Sequence, residues 1–239
     1  MLINDFVDKV FIISLPERKS DRLDVLGKEL DSLGIEWVKF DALRNKEGYV
    51  GLIKTMHSLF SIAKLMNYEN ILVFEDDAKF IEGTEGFISE CLQQIPKDYH
   101  CLHLGVNLLV PPTKVSENIL KITASYALHA TFYSKEAINL ILPLLEDETQ
   151  PIDVSIMRKI QPLGKCYCSN PMIFTQRPTK SDIFNYDPLK HKGLDSIYNK
   201  ELGVVDFSIM MEQNFNRLTD YGTESYSESN FAFGRANIW

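Results

Sequence analysis

The chain has 239 residues, 45% of them hydrophobic and 24% charged, which suffices for one large α/β domain with its own core. Its formal net charge of −8 argues against a general nucleic-acid-binding protein, because such proteins need a basic surface. No apolar run approaches the roughly 18 residues that span a bilayer, and the N-terminus lacks the basic region and cleavage site of a signal peptide. We therefore expect a cytoplasmic protein, with peripheral association with the inner face of a membrane left open.

The chain opens with an alternation of strand, helix and strand. Residues 10–15 form an apolar run typical of a buried strand, and leucines at helical spacing follow from Ser20 until Gly34. Residues 35–42 predict a second strand. This β-α-β order predicts the start of a doubly wound sheet.

The same alternation continues to about residue 177. We predict helices that begin at Gly51 or span 86–95, 135–145 and 153–160, and strands within 70–74, 100–110, 119–134 and 166–176. The predicted fold class is therefore α/β, with a mostly parallel central sheet flanked by helices. We divide the chain into a domain at 1–185 and an extension at 186–239, which has one helix near 202–218 and a polar, aromatic tail.

Three acids, Glu75-Asp76-Asp77, directly follow the apolar run Asn-Ile-Leu-Val-Phe. A buried strand that ends in three carboxylates needs something to offset their repulsion, and divalent cations such as Mg²⁺ or Mn²⁺ prefer oxygen ligands. Ligands of open α/β sheets gather at the carboxyl ends of the strands. The acids therefore predict a metal site beside a phosphate-bearing ligand, and an acidic turn or helix N-cap is the alternative.

Other charged residues follow the first two predicted strands. Arg18 and Arg22, four residues apart after the first strand, are positioned to bind a phosphate, although the sequence lacks G-x-G-x-x-G and Walker A motifs. The alternative is a pair of solvated arginines that pair with nearby acids. Asp41 ends the second strand, where a carboxylate could bind a ribose hydroxyl or cap a turn.

His129 and Asp153 are the remaining candidates. His129 interrupts an apolar strand, where a polar side chain needs a partner, so either a structural role or a place in the site is open. Asp153 begins a helix after Pro151, where it could cap the helix or serve as a catalytic base. The four cysteines match no zinc pattern, and we expect them to be structural.

Several segments, in this order, resemble glycosyltransferase family 25, the lipooligosaccharide-type galactosyltransferases. They span about residues 10–183 and read VFIISLPERKSDRL, FDAL, GLIKTMHSLFSIAK, NILVFEDDAKF, HLG, ALHATFYSKEAINLIL, PIDVSI and TQRPTKSDI. The resemblance implies a GT-A-like fold for the catalytic domain, a UDP-sugar donor and a divalent cation, usually Mn²⁺. The family's Gly-Cys-x-x-Ser-His motif is changed here, since Gly51 is kept but Met56 stands in place of the histidine.

The resemblance also implies roles for individual residues. Asp77 would contact the metal, Glu75 or Asp76 would contact the donor, and Arg18 and Arg22 would lie near the nucleotide. From the positions of the residues themselves, we add Glu75 as a second metal ligand or catalytic group, Asp153 as the base, and Asp41, Gly51 and His129 as further donor-binding candidates.

The predicted function is metal-dependent, inverting transfer of a hexose, with galactose favoured, to a glycan or glycolipid acceptor of lipooligosaccharide or lipopolysaccharide type. The alternatives are a nucleotide-sugar-binding protein without transfer activity and a metal-dependent phosphotransferase or hydrolase. The sequence does not identify the oligomeric state.

Overall fold

A computed structural model describes residues 2–177 and Asp182, and the backbone of two further short strands. The helices are α1 Ile3–Phe6, α2 Asp24–Ser32, α3 Gly48–Leu65, α4 Glu85–Gln94, α5 Lys135–Ile141 and α6 Ile152–Lys159. The strands are β1 Lys9–Ser14, β2 Val38–Asp41, β3 Asn70–Glu75, β4 Ala78–Phe80, β5 Cys101–Leu108, β6 Thr113–Lys114, β7 Ile119–Lys121, β8 Ser125–Ser134, β9 Cys166–Ser169, β10 Phe174–Gln176, β11 Tyr198–Asn199 and β12 Val204–Val205. Helical turns also form at Pro16–Arg18, Lys19–Leu23, Leu142–Glu146 and Gln161–Leu163.

Eight strands form the central sheet, in the order β2-β1-β3-β8-β5-β9-β7-β6. β1 lies parallel to β2 and β3, and β5 lies parallel to β9, whereas β8 and β7 are antiparallel to their neighbours. Six of the eight strands therefore point in one direction. This topology confirms the predicted α/β class with a mostly parallel central sheet flanked by helices.

The sheet separates two hydrophobic cores, which we call the first and the second core. The first core lies between the sheet and α3, α5 and α6, and Leu59, Phe60 and Tyr133 are fully buried in it. The second core lies between the sheet and α2 and α4, and it includes Leu26 and Phe174. No helix among residues 2–177 is long and apolar enough to cross a membrane.

The structure differs from the predicted elements in three places. The predicted strand 166–176 is split, because Pro171 cannot donate to a sheet ladder, and β10 leaves the large sheet to pair with β4, a strand that was not predicted. Helix α3 begins at Gly48, three residues before its predicted start at Gly51. Val204–Val205 pairs with Tyr198–Asn199 as a short strand, so the helix predicted near 202–218 is wrong at those two residues, and the rest of that segment lies outside the described residues. The predicted boundary at 185/186 lies there too.

Gly51 brings α3 close to the loop after β2. A Cβ on Gly51 would lie 2.5 Å from the carbonyl oxygen of Leu43, and the Thr55 hydroxyl accepts from the Leu43 amide at 2.8 Å and donates to the Gly51 carbonyl at 2.7 Å. Met56 is buried in the first core. Packing against the loop therefore accounts for the glycine.

Gly51→Ala should destabilise the protein by about 1–3 kcal/mol, because the methyl group would overlap backbone atoms. The matched control is Gly86→Ala in α4, where an added Cβ meets nothing within 4 Å. We expect the control to be neutral or stabilising by about 0.5 kcal/mol, since alanine favours helix. Urea unfolding of both variants measures the difference, and equal stabilities would contradict this packing explanation.

Candidate active site

The three acids lie where β3 ends at the carboxyl edge of the sheet. Glu75 is the last residue of β3, and Asp76 and Asp77 form the turn that leads into β4. Because side chains alternate along a strand, Glu75 points to the side of the first core, which contains Val73, and Asp76 points to the side of the second. The three carboxylates are thus directed to different neighbours.

Asp76 forms a buried ion pair with Arg22. An Nη1 hydrogen of Arg22 is donated to Asp76 Oδ1 over 3.1 Å, and the exposed side-chain fractions are only 5% and 10%. Burial raises the pKa of Asp76, while a hydrogen bond with Ser14 and the nearby Arg22 charge oppose that rise. The arginine thus stabilises a carboxylate that burial alone would neutralise.

Arg18 and Arg22 are joined by Asp182, which lies far away in the sequence. Arg18 donates to the two carboxylate oxygens of Asp182 at 2.7 and 3.0 Å, and Arg22 Nη1 lies 3.3 Å from the same carboxylate. Burial acts to raise the pKa of Asp182, but the hydrogen bonds from Arg18 and the charge of Arg22 outweigh it and lower the pKa. Arg18 also forms an ion pair with Asp21, with 2.7 Å between Nη1 and Oδ2, and the pairing of an arginine with a nearby acid was the alternative interpretation. The two arginines form one cationic pair that binds a carboxylate.

A second group at this edge of the sheet consists of three acids, Glu75, Asp77 and Asp153. Burial raises the pKa of Glu75 well above its ordinary value, and the charges of Asp77, Asp153 and Asp76 raise it further. Burial likewise raises the pKa of Asp77 to about 6, against the lowering effect of Arg22. Such raised values are expected where several carboxylates share one enclosed site.

Asp153 lies in the first turn of α6 and accepts two backbone N–H groups. Its oxygens accept from the amides of Ala127 at 3.3 Å and Val154 at 2.9 Å. Burial raises the pKa of Asp153, and these backbone hydrogen bonds reduce that increase. Ala127 has a φ of +67°, an uncommon conformation for this residue that places its amide toward the carboxylate. Asp153 is therefore a fixed acceptor next to Glu75.

Asp77→Asn should change how stability depends on pH. The folded-state pKa of Asp77 is about 6, above its ordinary 3.8, so its protonated form stabilises the fold below about pH 4 and that contribution is lost as the pH rises through about 6. The variant should therefore be more stable than the wild type by about 3 kcal/mol near pH 8, and the difference should vanish below about pH 4. Urea titrations with EDTA at several pH values test this, and a difference independent of pH would contradict it.

The carboxylate of Asp77 is suited to a metal ion whose other ligands come from a bound phosphate substrate and from water. Its Oδ1 atom is buried and has no hydrogen-bond partner in the described part of the chain, although the carboxylate accepts from the side chain of Gln176. Within the described residues, no group of three or more His, Cys, Asp or Glu side chains is arranged to hold a metal ion. Magnesium-type sites at phosphate substrates need only one or two carboxylates, with phosphate oxygens and water as the other ligands. The residues present fit that kind of site.

The remaining predicted residues are Asp41, Gly51 and His129. The Asp41 carboxylate lies at the same sheet edge, opposite Ser14, but it is exposed and pairs with Lys39. Gly51 contacts the loop after β2, as described above. His129 is 1% exposed within β8, and a Cβ on Gly105 would lie 2.3 Å from its Nε2. The structure thus brings together Arg18, Arg22, Glu75, Asp76, Asp77 and Asp153.

Four residues of the site were not predicted from the sequence as site residues. Ser14 and Gln176 bond to the acids, Asp182 binds both arginines, and the Arg177 amide donates to the Asp77 carbonyl at 2.7 Å. Each of these lies at the end of a strand or in a polar stretch near residue 177. Their contacts cross between distant parts of the chain, which a local pattern does not indicate.

No protein-family model matches the chain, and no curated protein matches it. The resemblance to glycosyltransferase family 25 therefore stays a prediction. Three solved structures are similar to this one, at identities of at most 14% and TM-scores below 0.5, and at this level the likeness carries no argument about function.

The first of these structures is A197 from STIV, with 14% identity and a TM-score of 0.42 over 71% of this chain and 85% of that one. The second is a glycosyltransferase involved in the glycosylation of the major capsid of PBCV-1, with 10% identity and a TM-score of 0.49 over 73% and 95%. The third is a putative glucose-1-phosphate thymidylyltransferase from Bacillus anthracis in complex with a sucrose, with 13% identity and a TM-score of 0.39 over 70% and 69%.

Proposed function

We propose that this protein is a metal-dependent glycosyltransferase that moves a hexose from a UDP-sugar to a glycan acceptor. The observation that carries the proposal is the buried acidic group at the carboxyl end of β3, in which Asp77 Oδ1 has no partner among the described residues, next to a pair of arginines. Carboxylates bind a divalent cation, and the cation and arginines together complement a diphosphate.

The donor would lie along the carboxyl edge of the sheet. Arg18 and Arg22 would bind its phosphates, Asp77 would hold Mn²⁺ or Mg²⁺, and Asp41, at the end of β2, would be available for the ribose. Asp76 would keep Arg22 in place through their 3.1 Å ion pair. Gly51 would contribute indirectly, because it lets α3 pack against the loop after β2. His129 would contact the donor from its position in β8.

A cation held by Asp77 would supply positive charge to the diphosphate, which would make UDP a better leaving group. Asp153 takes the proton from the acceptor hydroxyl as that oxygen attacks the anomeric carbon. Glu75 has the more crowded acidic surroundings and keeps a proton, because two neighbouring carboxylates seldom ionise together. A single displacement of this kind inverts the configuration at the anomeric carbon.

The finer parts of the proposal come from the resemblance in the sequence. They are galactose as the sugar, Mn²⁺ as the cation, and a lipooligosaccharide- or lipopolysaccharide-type glycan or glycolipid as the acceptor. An acceptor embedded in a membrane would require the protein to work at the membrane surface, which is the peripheral association that we propose.

A thermal-shift and turnover experiment tests the function. We expect UDP-galactose to raise the melting temperature only with Mn²⁺, UDP-glucose to do so less, and EDTA to abolish the shift. Asp77→Ala should lose the metal-dependent part of the shift, whereas the control Asp98→Ala, whose side chain is 67% exposed, should keep it.

Different outcomes point to different functions. Absence of any shift with UDP-sugars plus metal would contradict the proposal. Binding without transfer to any glycan would indicate a nucleotide-sugar-binding protein, and metal-dependent release of phosphate from simple esters would indicate a phosphotransferase or hydrolase.

A further inference from the structure

Asn107 is a buried amide without a hydrogen-bond partner. It lies near the carboxyl end of β5 with 1% of its surface exposed, and neither Oδ1 nor Nδ2 bonds to another group in the described part of the chain. Buried side-chain amides are normally bonded, because the loss of water without a new partner costs free energy. An amide left in this state is available to a ligand.

The side chain of Asn107 faces the side of the sheet where β10 lies. Its neighbours Val106 and Leu108 pack in the first core, so alternation directs Asn107 to the opposite side. Gly105 faces the same way, and a Cβ there would lie 2.1 Å from the carbonyl oxygen of Phe174. Strand β10 therefore crosses directly over this part of β5.

Strand β10 connects the surroundings of Asn107 with the acids. It runs from Phe174 to Gln176, whose side chain donates to Asp77. Thr175 lies between them, is 5% exposed and has an Oγ1 atom with no partner within the described residues. Polar atoms without a partner among the described residues therefore lie around this three-residue strand: both polar atoms of the Asn107 amide, Thr175 Oγ1 and Asp77 Oδ1.

The spacing of these groups matches a phosphate followed by a sugar. β3 and β5 are separated by β8, which is two inter-strand distances or about 10 Å. The β3 end carries the carboxylates that suit a metal and a phosphate, whereas the β5 end carries neutral groups. An amide that both donates and accepts complements sugar hydroxyl groups.

We propose that Asn107, with Thr175, hydrogen-bonds hydroxyl groups of the transferred hexose and selects among donor sugars. This inference rests on the proposed function. The residues act in sugar recognition, while the arginines and Asp77 bind the part of the donor that all UDP-sugars share.

Asn107→Leu tests the inference, because leucine has a similar size and no polar atoms. With Mn²⁺, we expect the Kd of UDP-galactose to increase about tenfold and the Kd of UDP alone to change by less than about twofold. The preference between UDP-galactose and UDP-glucose should be lost. The ligand-free variant should melt at the same or a higher temperature, since an unsatisfied amide has been removed.

The matched control is Asn118→Leu, another buried asparagine, which donates from Nδ2 to the Asn170 carbonyl at 3.0 Å. It should melt at a lower temperature but keep the donor preference. Thr175→Val, a change of nearly equal volume, provides a second variant in case Asn107→Leu does not fold. It should also weaken the binding of UDP-galactose more than the binding of UDP.

The inference is overturned if both Asn107→Leu and Thr175→Val bind UDP-galactose and UDP in the wild-type ratio. A lower melting temperature for Asn107→Leu with an unchanged ratio would show a purely structural role. If the wild-type protein binds no UDP-sugar, the proposed function fails, and this inference fails with it. If the wild-type protein binds UDP-galactose but the variants keep its binding ratio, only this inference fails.

Discussion

Asp153→Asn should slow transfer of the hexose by about 10²–10⁴-fold, because an amide cannot accept the proton of the acceptor hydroxyl. The substitution keeps the shape of the side chain, and its one oxygen keeps one of the two hydrogen bonds that Ala127 and Val154 donate to the two oxygens of Asp153. The binding of UDP-galactose with Mn²⁺ should change little. The measurement is the initial rate of transfer under saturating donor, beside a Kd for the donor.

Glu75→Gln is the informative comparison for Asp153→Asn. If Glu75 holds a proton in the active form, its amide should retain much of the rate, because both groups are neutral hydrogen-bond donors. A rate for Asp153→Asn within about threefold of the wild type, together with a large loss for Glu75→Gln, would contradict the assignment and exchange the two roles.

Arg22→Met should destabilise the protein by about 3–5 kcal/mol, because it leaves Asp76 buried without its cation. The pair is nearly enclosed, at 5% and 10% exposed side-chain surface, and Arg22 also lies 3.3 Å from Asp182. A loss of this size is a large share of the stability of a typical domain. Urea unfolding with far-UV circular dichroism measures it.

Two further variants separate the charge effect from lost packing. Lys19→Met breaks an exposed pair with Asp24, at 69% and 41% exposure, and should cost less than about 1 kcal/mol. Arg22→Met combined with Asp76→Asn should regain part of the loss, because the unpaired carboxylate is gone. A double variant no more stable than Arg22→Met alone would show that the methylene packing of Arg22 dominates.

The sequence predicts the central part of this fold well because its strands are buried on both faces. The runs that became β1 and β3 are nearly continuous apolar segments, and the helices that follow β1 and precede β3 have apolar faces and, for α2, a clear stop at Gly34. The acids at the end of β3 could be located for the same reason. Strand β4 has three residues and is formed by pairing with β10, so its stability depends on contacts that no local pattern contains.

The sequence predicted those residues of the candidate site whose chemical type alone indicates their function. Glu75, Asp77 and Asp153 are acids at the ends of predicted elements, and the structure places them together. Asn107 could not be selected in this way, because an asparagine within a strand gives no signal until its burial and lack of partners are known. Asp182 likewise needs the folded chain, since 160 positions separate it from Arg22.

The contact of Asp182 with both arginines has a consequence for the protons that accompany binding. An anionic ligand that uses Arg18 and Arg22 must replace the Asp182 carboxylate, whose pKa these arginines now lower. Once released, the carboxylate returns toward its ordinary pKa and takes up a proton in mildly acidic solution. The heat of nucleotide binding should then differ between buffers of different ionisation enthalpy near pH 4, and the difference should disappear near neutral pH.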